Sequence, residues 1–139
     1  MFGKTYRFVV QNSTGVALAA TDSIVITGIR KNFSSSGVLT FEVVSPASTV
    51  VTGGASLASA GFLLGATQDN TAAGTQWLEG DFHITASINT ATPNGNLNIY
   101  YQTSEDGGAT WPDNGRGILV GSLAFTAVGT ENDGFSFLG

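Results

Sequence analysis

Ser104-Glu105-Asp106-Gly107-Gly108-Ala109-Thr110-Trp111 is the stretch that decides the fold, because alternating strand patterns flank it on both sides. Before it, Leu97, Ile99 and Tyr101 alternate with Asn98, Tyr100 and Gln102. After it, Ile118 to Phe125 offers Leu119, Leu123 and Phe125 to one face. A period of two on either side of a turn is a β-hairpin. The turn itself is chemically specified. Asp106 and Ser104 carry oxygens that accept or share hydrogen bonds with the N–H groups of the turn. Gly107 and Gly108 take positive φ without a Cβ penalty. Thr110 and Trp111 close the stretch, and Trp111 folds back over the turn to seal it with apolar area.

Working outward, the same period recurs. Thr5 to Val10 places Tyr6, Phe8 and Val10 on one face and Thr5, Arg7 and Val9 on the other. Asn12-Ser13-Thr14-Gly15 reads as a turn, with Val16 to Ala20 returning as a short strand. Ser23 to Ile29 is a continuous β-branched run suited to a strand covered on both faces, and Arg30 to Gly37 reads as a polar loop. In Val38 to Val44 the alternation points Leu39, Phe41 and Val43 inward, and Thr40 and Glu42 outward; Pro46 closes that strand because it lacks a ladder N–H. Thr49 to Thr52 and Ser56 to Leu64 read as further strands around a Gly53-Gly54 turn, and Ala66 to Thr75 as a polar loop. Phe82, Ile84, Ala86 and Ile88 then alternate with His83, Thr85, Ser87 and Asn89, before a Thr92-Pro93-Asn94-Gly95 turn. Asn132-Asp133-Gly134 is expected to turn into a last segment, Phe135 to Leu138.

About eight such strands separated by Gly, Asn, Asp and Pro turns predict an all-β fold. The expected form is a single-domain antiparallel β-sandwich over residues 1–139, jelly-roll-like, with a short basic N-terminal region. The strands from Phe82 to Phe125 are expected to form a meander. The composition agrees. Nineteen of 139 residues are glycine, and long runs of Glu, Lys, Leu and Arg are missing.

Charge narrows the function classes. Only 11% of residues are charged, where roughly a quarter is usual in soluble domains. A surface of Thr, Ser, Gly and apolar groups tolerates burial against neighbours better than a dense ionic one, which suits a subunit of a large assembly. The net charge of −5 disfavours nucleic acid, whose phosphates call for clustered Lys and Arg. Lys4, Arg7, Arg30 and Lys31 precede residue 32 with Asp22 alone, whereas Arg116 faces nine acids in the remainder. That asymmetry has two readings: a few solvated charges on separate strands, or a basic beginning that meets an acidic face on a neighbouring copy. The start lacks the apolar core of a signal peptide and no stretch has the length and apolarity to span a bilayer, so neither secretion by a cleavable signal nor a membrane partner is expected. No cysteine is present, which removes disulfides and thiolate metal sites.

No catalytic constellation appears. His83 is the only histidine and lies on the polar face of a strand near Glu79 and Asp81, a surface position rather than a ligand. The carboxylates Glu79, Asp81, Glu105, Asp106 and Asp113 lack a convincing pair for glycosidic hydrolysis, since Asp106 already serves the turn. Asp113-Asn114-Gly115 and Asn132-Asp133-Gly134 are explained by turn chemistry, and neither metal nor cofactor is expected. Trp77 and Tyr100 are the aromatics free to anchor an interface, whereas Tyr101 and Trp111 belong to the core and the turn.

The stretch Ser104 to Trp111 matches the Asp-box pattern, Ser-x-Asp-x-Gly-x-Thr-Trp, at every specified position. The pattern is best known from sialidase-type propellers, but it occurs here once and no arginine cluster for a substrate carboxylate accompanies it; a propeller of repeated blades is excluded. From Leu97 to Phe125 the chain resembles small all-β bacteriophage virion structural proteins. The resemblance implies a non-enzymatic virion component, assembled in the host cytoplasm. The form expected is a capsid cement or decoration protein at the capsid surface, oligomeric and bound across capsomers. Its implied partners are the major capsid protein or other virion proteins and copies of itself. A tail, baseplate or fibre component, or a glycan-binding adhesion module, is the alternative. The contact segments expected are Lys4 and Arg7, the Arg30-Lys31 loop, and the loop ending at Trp77, with Tyr100 beside them.

Overall fold

The computed structural model describes residues 3–33, 36–44, 57–71, 77–111 and 117–137. All of its regular structure is β: β1 (Thr5–Ser13), β2 (Ser23–Phe33), β3 (Leu39–Val44), β4 (Phe62–Leu64), β5 (Gln68–Asp69), β6 (Glu79–Ile88), β7 (Gly95–Ser104), β8 (Ile118–Phe125) and β9 (Gly129–Phe137). One antiparallel sheet runs β4-β1-β7-β8, with β5 pairing β1 alongside β4. The other runs β3-β2-β6-β9. The two pack face to face as a β-sandwich. The jelly-roll-like type expected is not confirmed by this order, in which β1 lies beside β7 and β9 beside β6.

The core is the sum of the inward rows. Tyr6, Phe8 and Val10 of β1, Leu97, Ile99 and Tyr101 of β7, and Leu123 and Phe125 of β8 meet Ile24 and Ile26 of β2 and Phe82, Ile84, Ala86 and Ile88 of β6. Phe8 sits at the centre, its ring 4.9 Å from Phe82, 5.5 Å from Phe135 and 5.8 Å from Tyr101. These are edge-on or tilted contacts of the kind aromatic quadrupoles favour. At one side β8 and β9 close together. A Cβ on Gly121 of β8 would lie 3.6 Å from the Phe135 ring, ordinary van der Waals contact, so Phe135 of β9 packs beside this position of β8.

Several expectations are corrected. β2 does not stop at Ile29 but continues to Phe33, so Arg30 and Lys31 lie in a strand and not in a loop. Val16 to Ala20 forms no strand, and Asn132-Asp133-Gly134 is the interior of β9 rather than a turn. Of Ser56 to Leu64, only Phe62–Leu64 is strand among the described residues. Thr49 to Thr52 and the Gly53-Gly54 turn lie outside the described residues. The segment from Phe82 to Phe125 is no meander, because β6 belongs to the second sheet and β7 and β8 to the first.

Two corrections concern which way side chains point. On β3, Leu39 and Phe41 face outward and are exposed. The register explains this: Thr40 pairs with Asn32 and Phe41 with Lys31, while the inward row of β2 continues from Ile24 and Ile26 to Gly28, Arg30 and Asn32. That end of the interior is polar and offers an apolar row of β3 nothing to pack on; Thr40 is exposed as well, and the side chains of Glu42 and Val43 lie outside the described residues. On β8 the pairing shifts from Ile99–Gly121 to Tyr100–Leu119, leaving Val120 as the extra residue of a β-bulge. A bulge moves the following residues to the other face. Leu119 therefore lies outside, 55% exposed, while Leu123 and Phe125 keep their place in the core.

Candidate functional site

The Asp-box hairpin connects β7 to the descending chain and has the hydrogen bonds its residue types foretell. The Ser104 hydroxyl donates to Asp106 Oδ1 at 2.6 Å and accepts from Gly108 N–H at 2.9 Å. Thr110 donates its N–H to Asp106 Oδ1 at 2.9 Å and its hydroxyl to Oδ2 at 2.6 Å. Gly107 and Gly108 both have positive φ, 75° and 92°. Trp111 closes the turn by lying under the Arg7 guanidinium, 4.0 Å from ring centroid to Cζ. Asp106 thus spends both oxygens on the turn, and the Ser104 and Thr110 donors hold its carboxyl well below the usual carboxylate range.

Stability follows from the sign of that shift. A carboxylate with a depressed folded pKa stabilises above its unfolded value near 3.9, about pH 5 and up, and loses its effect only as pH falls through the lower folded value. The turn is expected to stay closed through mild acid. Replacing Asp106 by alanine is expected to remove hydrogen-exchange protection at Thr110 N–H and weaken it at Gly108 N–H. The β7–β8 ladder amides should keep theirs. Unchanged exchange at Thr110 would show that Asp106 does not hold the turn.

The expected contact residues are scattered rather than gathered. Lys4 pairs with Glu105 at 3.6 Å, both well exposed, a surface ion pair of small energetic weight. Arg7 donates Nε–H to Gln102 Oε1 at 2.7 Å besides stacking on Trp111; partial burial lowers its pKa. Arg30 points into the end of the sandwich, where Nη1 donates to Tyr6 Oη at 3.2 Å and the guanidinium lies 5.2 Å from the Trp77 ring. Trp77 is fixed by Asn70, whose side chain accepts the Trp77 N–H at 2.7 Å and donates back to its carbonyl at 3.1 Å. Lys31 is ion-paired with Asp81 on the outer face. Tyr100 is half-buried and donates its hydroxyl to Gln11 Oε1 at 3.1 Å. The basic residues near the start are therefore engaged within the chain. His83 is exposed on the outer face of β6, and among the described residues no group of three or more His, Asp or Glu is placed to hold a metal.

A feature missed by the alternation is the outer surface at the β2–β3 end. Ile29, Phe33, Leu39 and Phe41 share the outward side of two paired strands, with Phe33 57% and Phe41 60% exposed. Beside them Lys31, Asn32, Phe33, Leu39, Leu78 and Glu79 line an open hollow of about 110 Å³. On the other sheet, Leu64, Val9, Tyr100 and Leu119 form one cross-strand row, flanked by Phe62, with Leu64 and Leu119 exposed at its ends. The signal for the first patch was present in β2. Parity carried forward from the inward Ile24 and Ile26 puts Ile29 and Phe33 outside once the strand continues past Arg30. No family model, curated protein sequence or solved structure matches this chain.

Proposed function

We propose that this chain is a non-enzymatic structural subunit of a virion, of the capsid cement or decoration type, acting by contact rather than by chemistry. The observation that carries the reading is the placement of large apolar side chains on the outer surfaces of both sheets: Ile29, Phe33, Leu39 and Phe41 on one, Phe62, Leu64 and Leu119 on the other. Contiguous apolar area of this kind marks protein contact surfaces. A building block with contact surfaces on two opposite sides joins neighbours on each. The described Lys and Arg side chains are engaged within the chain, so salt-sensitive attraction is the lesser part of the binding. Repetition of modest contacts over a lattice then makes retention effectively irreversible.

The glycan-binding alternative draws on Trp77, Tyr100, Tyr101 and Trp111, but a sugar platform needs open ring faces and free polar tips, whereas Tyr101 is buried and the Arg30 guanidinium lies 5.2 Å from the Trp77 ring. Arg7 covers one face of Trp111, and the Tyr100 hydroxyl is bonded to Gln11. Two measurements together test the proposal. Purified native particles are expected to contain the chain in fixed ratio to the major shell protein, and a glycan array is expected to give no hits. A chain absent from particles, or one binding a defined glycan, overturns the reading; a chain present only in tail fractions moves it to a tail, baseplate or fibre role.

A further inference from the structure

The cations near the start of the chain are engaged to different degrees. Lys4 pairs with Glu105 and Lys31 with Asp81, each against a carboxylate. Arg7 has no such partner. Its Nε–H goes to Gln102 Oε1 and its flat face to Trp111, and among the described residues Nη1 and Nη2 have no hydrogen bond or ion pair. Those two contacts fix the plane of the guanidinium and the direction of its outer edge, because Gln102 is 1% exposed and cannot swing away. Partial burial lowers the Arg7 pKa, and no carboxylate offsets the lost water. A guanidinium so placed is aligned for a planar anion and lacks one.

The surface around it has the matching character. β1, β4, β7 and β8 together contain one charged residue, Arg7, and no acid, in a chain of net charge −5. The acids at the margin are taken: Asp69 by the N–H and hydroxyl of Thr71, Asp106 by its own turn, and Glu105 by Lys4. On the same outward side, the next row holds Val9 and Tyr100, with Leu64 and Leu119 exposed at its ends. Arginine, tryptophan and tyrosine beside exposed leucines, without acid or lysine, is the composition of an interface centre.

We infer that the outer face of the first sheet docks a protein surface presenting an aspartate or glutamate within an apolar surround, its carboxylate bridging Nη1 and Nη2 of Arg7. The inference rests on the assembly reading above and assigns this face to the shell. A second copy offering the same face does not fit, since an isologous contact would bring Arg7 to a surface that has no acid. The carboxylate sets register, and the leucines supply buried area.

Two arms test the site and its partner separately. In the first, the full chain is titrated with sodium acetate, against sodium chloride at matched ionic strength, and the Arg7 Nε–H resonance is followed. Acetate is expected to move it saturably in the parent. Gln102→Glu, which supplies the guanidinium with a carboxylate from inside, is expected to abolish that response. Equal shifts with acetate and chloride, or an unchanged response in Gln102→Glu, overturn the site. In the second arm, the chain is rebound to native particles stripped of it. Arg7→Gln and Gln102→Glu are each expected to bind on the order of 30-fold more weakly than the parent, the loss of one central anchor. Arg7→Gln also frees Trp111, whereas Gln102→Glu is expected to keep the stack, and hydrogen-exchange protection at Thr110 N–H reports whether the turn is closed. If Arg7 only braces Trp111, Gln102→Glu rebinds as the parent does, and the docking is overturned. A parent that does not rebind removes the virion reading and the shell as partner, while the acetate arm still decides the site.

Discussion

Phe8→Ala is expected to cost about 4 kcal/mol of stability, the range for removing a buried phenyl ring whose surroundings cannot collapse into the space. Phe8 is fully buried, and it touches Phe82 and Phe135 of the opposite sheet as well as Tyr6 and Tyr101 of its own. The cavity would therefore open at the seam between sheets, walled by strands held in their ladders. A loss of this size takes a large part of the stability of a domain, and is expected to lower Tm by roughly 15 °C. Leu119→Ala is the matched control. Alternation places Leu119 in the core, but the bulge at Val120 puts it outside, so its truncation is expected to cost less than about 0.5 kcal/mol. Urea unfolding of both variants measures the pair. Similar losses at the two positions would contradict the bulge and the core drawn around Phe8.

Asp22→Ala is expected to cost about 3 kcal/mol, because it strips a buried carboxylate from several donors that have nowhere else to turn. Oδ2 accepts from Ala19 N–H and from the Thr90 hydroxyl, each at 2.7 Å, and Oδ1 accepts from Asn89 N–H at 2.7 Å. One side chain thus ties the β1–β2 connection to the β6–β7 connection, 67 residues away. Burial alone would raise the Asp22 pKa. The hydrogen bonds from Ala19, Asn89 and Thr90 outweigh it and hold the carboxyl below its ordinary value. Stability from a lowered pKa is complete above the unfolded value of about 3.9 and fades as pH falls through the folded one. The parent and Asp22→Ala chains are therefore expected to differ most from about pH 5 upward and to converge in strong acid. A gap that widened on acidification would contradict the assignment.

How far the sequence was legible depends on the range of the interaction. The Ser104 to Trp111 turn was readable because its hydrogen bonds run between residues two to four apart. The inward faces of β1, β6 and β7 were readable because each packs on one continuous apolar layer, so period two survives from end to end. β3 was misread for the opposite reason: its inward neighbours are Arg30 and Asn32, and parity alone does not say which face meets a polar interior. Leu119 was misread because a single inserted residue, Val120, reverses parity; Gly121 beside it is the one mark the sequence leaves, since a glycine inside a strand pattern signals a bulge. Strand order stayed out of reach, since pairing β1 with β7 depends on contacts about 90 residues apart. The polar anchors were hidden in the same way. Asn12 looks like part of a local Asn-Ser-Thr-Gly turn, yet its amide donates to Leu57 and Ala58 carbonyls far along the chain. Asn70, within an apparently featureless polar loop, holds both Gly3 and Trp77.

The same reversal at β3 that defeated the alternation bears on function. Apolar residues expected in the core lie instead on the surface, where they lower the solubility of an isolated chain and gain only when a neighbour covers them. The Asp-box residues, by contrast, are consumed by their own turn.

Electron microscopy of a native particle tests the assembly role most directly. The chain is expected on the capsid surface, with Ile29, Phe33, Leu39 and Phe41 covered by a second copy or by the shell. A particle lacking the chain, or one showing it attached with that outer face open to solvent, would contradict it.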